Sequence, residues 1–391
     1  MNPPLPPFPR QIPLCRPSLG EEELQAVKEV LDSGWLAHGP KNKEFEAAFS
    51  AYVGTPSAAC FNSCASALIA AIKGAKFQGE IILPSFTFSA SANAIVLAGC
   101  TPVFAEINPT TFNLDPEDIE HRITKRTVAI MPVHYAGQIC EMDKIMAIAK
   151  KHNLRVIEDS AETLGASLNG KQAGSFDIGC FSFYPTKNIT TGEGGMVTFH
   201  DPSFGETLGA VKAHGVVKPT FEREKITKSW YRDAVLPGFN FRMSDINAAI
   251  GLVQLKKVNQ LNAKRQEHAQ YLNQHLTRVA GQHLEVPHVD DIKTHVYQMY
   301  VIKVKDHLKR DALMEYLKTK GIQASVHFEP PVHLQSYYAE RYPARLPLTE
   351  QVCKQVITLP MFPDLKQEEL DYMVEVIADF FDHDSWIRCT F

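Results

Sequence analysis

Phe181-Ser182-Phe183-Tyr184-Pro185-Thr186-Lys187-Asn188 runs on into Ile189-Thr190-Thr191-Gly192-Glu193-Gly194-Gly195, and on this stretch the reading of the whole chain turns. It begins as the tail of an apolar strand, Ile178-Gly179-Cys180-Phe181, and ends where another starts, Met196-Val197-Thr198-Phe199. Pro185 forces its predecessor into an extended conformation, so Lys187 is expected to project from a stiff elbow. The glycines let neighbouring backbone or a ligand come close. A polar hairpin with a solvated lysine has the same local signature, and the stretch by itself leaves both readings open.

Outward from it the pattern alternates. Short apolar segments at 57–61, 80–84, 101–107, 128–133, 154–157 and 178–183 are separated by helical stretches near 65–72, 90–97, 116–122 and 142–152. Strands apolar on both faces, joined by crossover helices, predict an α/β fold with a mainly parallel sheet flanked by helices. Ser18 reads as the cap of a first helix. A long helix is expected from Ser244-Asp245, and after Gly281 the composition changes to that of a smaller C-terminal α+β domain. The expected division is an extended N-terminal arm over 1–19, a large domain over 20–260 and a small domain over 261–391.

Hydrophobic content of 45% and charged content of 21% describe an ordinary globular protein. The formal net charge of −4, without a basic run interleaved with aromatics, predicts no nucleic-acid partner. The eight cysteines form no CxxC pair, so no metal site is expected, and reduced thiols in a cytoplasmic protein are. No apolar run reaches transmembrane length, so no membrane partner is expected.

In an open parallel sheet, ligands bind beyond the carboxyl ends of the strands. The first exit, Asn62-Ser63-Cys64-Ala65-Ser66, opens a helix whose free amides suit a phosphate. The second, Pro84-Ser85-Phe86-Thr87-Phe88, offers an aromatic to stack on a flat ring. The fifth, Glu158-Asp159-Ser160-Ala161-Glu162, places carboxylates where one could meet a cationic ring nitrogen, or cap a helix. The sixth carries Ser182 and Lys187. Gly165-Ala166-Ser167-Leu168-Asn169-Gly170-Lys171-Gln172 imitates a phosphate-binding loop, but glutamine stands where Ser or Thr is required, and Asn-Gly predicts a hairpin turn. Amides for a phosphate, a stacking ring, an aspartate and a lysine together make a pyridoxal 5'-phosphate kit. There the lysine holds the aldehyde as a Schiff base and the aspartate keeps the ring nitrogen protonated.

At this point the chain resembles the DegT/DnrJ family of PLP-dependent nucleotide-sugar aminotransferases, which have the aspartate aminotransferase fold. The resemblance rests on Ser182–Gly195, on Gly34-Trp35-Leu36 and on Leu359-Pro360-Met361-Phe362-Pro363. It implies Lys187 as Schiff-base lysine and general base, Asp159 as pyridinium partner and Ser182 as phosphate ligand. The amides of Cys64 and Ala65 would hold the phosphate, and Phe86 would stack on the ring. Glu162, at a position often Gln or His in relatives, would lie by cofactor and substrate, and His327 on the substrate side. Asn240, in Gly238-Phe239-Asn240-Phe241-Arg242-Met243, would reach the phosphate of a neighbouring subunit, implying a homodimer with shared sites. The implied reaction moves an amino group from L-glutamate to a nucleotide-linked keto-sugar, first a 4-keto-6-deoxy hexose, for surface polysaccharide or glycosylated metabolites. A sugar dehydratase and a non-catalytic regulatory member of the fold are the alternatives; the dehydratases replace the lysine that stands here at 187. Ala65, Ala37 and Gln298 depart from the common family pattern.

Overall fold

The computed structural model describes residues 11–216, 233–290 and 293–382. The proline run of the arm, Trp230 and Cys389 lie outside the described residues.

Seven strands form the central sheet: β1 (Ser57–Phe61), β2 (Glu80–Pro84), β3 (Thr101–Ala105), β4 (Thr127–Ile130), β5 (Arg155–Asp159), β8 (Ile178–Ser182) and β9 (Gly195–Phe199). A short hairpin, β6 (Ser167–Leu168) and β7 (Lys171–Gln172), lies apart from it. The order across the sheet is β1-β9-β8-β5-β4-β2-β3. β9 runs antiparallel to both its neighbours, while β8, β5, β4, β2 and β3 pair in parallel. The strand period of two sorts side chains between the two faces. Ile81, Leu83 and Ile157 join the core on one face, where the Cys64–Gly74 and Ser89–Ala98 helices pack. Ile82 and Val156 join the core on the other, with Ile145 and Ala149 of the Met142–His152 helix. Both faces are dry, which is why these strands read as continuous apolar runs.

The hairpin confirms the turn at Asn169-Gly170. Both residues take positive φ, 50° and 80°, the geometry of a two-residue hairpin loop. Ser18 is a correction: the first helix is Glu21–Ser33, capped at Gly20, whose amide is held by Glu23 Oε2 at 2.8 Å. The Ser18 hydroxyl instead donates to Asp364 at 2.8 Å, because the chain before Gly20 is still extended along the C-terminal unit.

The Asp245–Ala280 helix passes unbroken through Leu261. Its first half packs through Leu255 and Val258 on Phe45 and Phe49 of the Pro40–Val53 helix. Its second half packs through Ala269, Leu272 and Leu276 on a second core, which serves the sheet β10 (Leu284–Glu285), β12 (Tyr300–Val304) and β13 (Val356–Leu359); the two-residue β11 (Lys293–Thr294) pairs with β6. Ile12 of the arm is fully buried in this second core and bridges to Ile322.

Gly195 begins β9 between β1 and β8, opposite both Phe61 and Ser182. A Cβ there would meet the Ser63 carbonyl oxygen at 2.4 Å and the Cys64 amide nitrogen at 2.7 Å, both backbone atoms with little room to give. Gly195→Ala is therefore expected to cost roughly 1–3 kcal/mol by overpacking. Gly209→Ala, where a Cβ meets nothing within 4 Å inside the Pro202–Lys212 helix, is expected to cost nothing. Chemical denaturation of the two variants checks the contrast.

Candidate active site

Five strand exits and a wall from the C-terminal unit enclose a cavity of about 570 Å³. At the end of β1, the Ser63 hydroxyl accepts from the Ser66 amide at 3.1 Å and caps the Cys64–Gly74 helix. That cap leaves the Cys64 and Ala65 amides without carbonyl partners within the helix, at its positive end. Both residues line the cavity. Burial pushes the Cys64 thiol well above its ordinary value, so it is a neutral part of the wall, not a nucleophile.

The two carboxylates at the end of β5 part company through strand alternation. Glu158 is fully buried and spent on structure: it accepts from the Gly174 and Phe176 amides at 2.7 and 2.8 Å and lies 3.0 Å from His134 Nε2. Asp159 faces the cavity. Its Oδ2 accepts from the Ser91 hydroxyl at 2.7 Å and its Oδ1 from the Ala161 amide at 3.2 Å. Burial raises its pKa, against the pull of those two donors and of the Lys187 charge.

Lys187 extends from the elbow after β8 until Nζ lies 3.2 Å from Glu162 Oε1. Glu162 Oε2 accepts from the Ala136 amide at 2.8 Å, which fixes the carboxylate. The backbone on either side of the lysine is pinned as well. The Thr186 carbonyl accepts from Gln298 Nε2 at 2.9 Å, and Asn188 Nδ2 donates to Asn262 Oδ1 at 2.7 Å and the Val296 carbonyl at 3.2 Å. Ser182 lines the same cavity, its Oγ accepting from the Tyr184 amide at 3.4 Å. On the opposite wall, His327 Nδ1 lies 2.9 Å from Thr358 Oγ1, and the His327 carbonyl accepts from the Tyr135 hydroxyl. Burial holds the His327 imidazole below its usual pKa, which keeps it neutral at pH 7.

The structure thus brings together Cys64, Ala65, Asp159, Glu162, Ser182, Lys187 and His327. Phe86 is a correction. It is 1% exposed and packs on Tyr135 and Phe112, with ring centroids 4.8 and 6.1 Å away, behind the cavity wall. The chain then turns into the Ser89–Ala98 helix and presents Phe88 instead, 63% exposed and on the cavity. Asn240 is exposed and off the cavity, its Oδ1 accepting from Arg242 Nε at 3.0 Å. Its loop touches the cup from outside, where the Asn62 amide donates to the Phe241 carbonyl at 2.9 Å. Sequence reasoning missed Ser91, Thr87 and the arm residues Leu14 and Cys15, which also line the cavity. Thr87 and Ser91 stand four apart across a helix start, a spacing that carries no signal before the fold is known.

The donor set fits a phosphorylated pyridine aldehyde: helix-end amides for the phosphate, Phe88 for the ring face, a buried carboxylate for the ring nitrogen and an amine for the aldehyde. Among the described residues no His, Cys, Asp and Glu cluster is arranged to hold a metal ion, and no helix is long and apolar enough to cross a membrane.

Comparison with known proteins agrees with the donor set. The model of the DegT/DnrJ/EryC1/StrS aminotransferase family matches residues 17–378. The spore coat polysaccharide biosynthesis protein SpsC of Bacillus subtilis (strain 168) is 38% identical over 379 residues, covering 94% of this chain and 96% of SpsC. The PLP-form of the putative sugar aminotransferase Spr1654 from Streptococcus pneumoniae superimposes with a TM-score of 0.88 at 29% identity, covering 95% of this chain and 99% of that one. DesI, solved in the presence of its TDP-sugar product, superimposes with a TM-score of 0.86 at 28% identity, covering 96% and 94%.

The exchange of roles between the two phenylalanines is measurable. Phe86→Ala is expected to cost about 3–5 kcal/mol of stability through the cavity it opens. Phe88→Ala is expected to stay within about 0.5 kcal/mol of wild type. Denaturant midpoints of the two variants decide it, and equal losses would return Phe88 to the core.

Proposed function

The chain belongs to the DegT/DnrJ/EryC1/StrS aminotransferase family and is a PLP-dependent sugar aminotransferase; from that premise we propose that it moves the amino group of L-glutamate to a nucleotide-diphosphate keto-sugar. The acceptor in this reading is a 4-keto-6-deoxy hexose, and the amino-sugar nucleotide formed serves surface polysaccharide or glycosylated metabolite synthesis in the cytoplasm. The observation that carries it is the Lys187 amine, held at the cavity floor beside Glu162 and facing the same space as Asp159.

The bound cofactor supplies an electron sink and a carrier for the amino group. The residues of the chain do the rest. The Cys64 and Ala65 amides and the Ser182 hydroxyl bind the phosphate, and Phe88 takes the stacking role first expected of Phe86. The Asp159 carboxylate holds the proton on the ring nitrogen. Lys187 Nζ takes the proton from the α-carbon of glutamate, and in the return half-reaction delivers one to the sugar carbon that receives nitrogen. Glu162 Oε1 steadies Nζ while it carries the extra proton. His327 and the apolar wall of Met299, Phe328, Leu359 and Met361 face the sugar, a surface suited to a methyl carbon. Asn240 acts across a homodimer interface, completing the phosphate cup of the partner, in keeping with its place outside its own cavity.

The dehydratase alternative lacks the lysine on which this reading turns. A visible absorption spectrum of the cofactor-loaded protein tests the proposal. L-Glutamate is expected to bleach the band of the wild type. Lys187→Ala is expected to lose turnover by at least about 10²–10⁴-fold. A band that glutamate leaves unchanged overturns the donor assignment.

A further inference from the structure

Asp159 faces the cavity with a hydroxyl relay behind it. Oδ2 of Asp159 accepts from the Ser91 hydroxyl at 2.7 Å, and Ser91 Oγ lies 2.9 Å from Thr87 Oγ1. Ser91 and Thr87 are 1% and 2% exposed, so water does not substitute for either contact. A serine hydroxyl has one proton. Once Ser91 spends it on the carboxylate, the contact with Thr87 exists only if Thr87 donates. The direction is therefore set: Thr87 to Ser91 to Asp159.

That direction matters because it favours one state of the carboxylate. A chain of donors pointing inward stabilises a negative Asp159, and each hydrogen bond in the chain polarises the next. Burial acts the other way and raises the pKa of the group. The charged groups around it are Lys187, which favours the anion, and Glu162, which opposes it; Cys64 and Cys180 also face it, as thiols that burial and the Asp159 charge keep neutral. The relay, the Ala161 amide and the lysine hold the charge in place, and Lys187 is committed to the aldehyde once the cofactor is bound.

We propose that Ser91 and Thr87 are positioning residues for the reaction, a two-hydroxyl relay that keeps Asp159 ionised and aimed at the ring nitrogen of the cofactor. The relay acts through Asp159 and touches no reacting atom. It also couples the carboxylate to the ring-stacking wall, since Phe88 sits between the two hydroxyl residues on the same turn. The inference rests on the function proposed above.

Cofactor retention as a function of pH, followed by absorbance after dialysis of the loaded protein, tests it. A cationic ring nitrogen needs the Asp159 anion, so retention falls as pH drops through the pKa of the aspartate. Ser91→Ala removes a donor to the anion, raises that pKa and moves the acid limb of retention to higher pH. At neutral pH it is expected to weaken retention roughly tenfold to a hundredfold, the weight of a hydrogen bond to a charged group. Thr87→Val moves the limb the same way by less, and Ser91→Thr restores the wild-type curve. Superimposable acid limbs for wild type, Ser91→Ala and Thr87→Val overturn the relay. So does a loss that Ser91→Thr fails to rescue, which is the mark of packing alone. Should Ser91→Ala not fold, Thr87→Val carries the same test, because Val keeps the shape of Thr. Failure of the wild-type protein to take up cofactor would instead sink the functional reading itself.

Discussion

Two carboxylates and an amine must share the edge of an apolar cavity, and the architecture is arranged around meeting that constraint. A buried charge without a partner is costly, and one held by hydrogen bonds or an opposite charge is tolerated. Glu162 is pinned by the Ala136 amide and paired with Lys187; Asp159 is held by Ser91 and the Ala161 amide. Both carboxylates follow β5 and the amine follows β8, and they meet because the strands of the parallel array end along one edge of the sheet. The antiparallel β9 breaks the pattern at one place, and its glycine start lets the Lys187 hairpin press against the phosphate cup.

The strand exits and their chemistry were legible in the sequence because each follows a run apolar on both faces, which locates it without tertiary knowledge. Asp159 and Lys187 could be read this way, and the hairpin at Asn169-Gly170 could be read from turn chemistry alone. Phe86 and Phe88 could not be told apart. Both are aromatic, both follow the same strand, and only the bend into the next helix decides which one meets the cavity. Ser91 was illegible for a related reason: a small polar residue in a helix has no pattern of its own until its neighbour across the sheet is known. Ser18 misled because a serine before acidic residues satisfies the capping rule, while its hydroxyl goes to Asp364, far along the chain. Asn240 shows the limit of a single chain, in which its side chain meets Arg242 and stays off the cavity.

The seat of Ile12 has a consequence for the order of events in synthesis. Its amide donates to the Gly321 carbonyl at 2.9 Å, and the Gln323 amide donates back to the Ile12 carbonyl at 3.0 Å. Two residues on, Leu14 reaches the Gln323 side chain across a sequence separation of 309. The core around the second sheet is thus made of segments far apart in the sequence, Ile12 on one side and residues from Ala269 onward on the other. The segment around Ile12 waits for the segment around Ile322 to be made before that core can close. The central sheet has no such dependence, for its strands lie between Ser57 and Phe199. Contacts so distant in sequence form slowly, and a nascent chain folds the parts already made. The large sheet is therefore assembled first, and closing the arm over the C-terminal unit finishes the wall that carries His327.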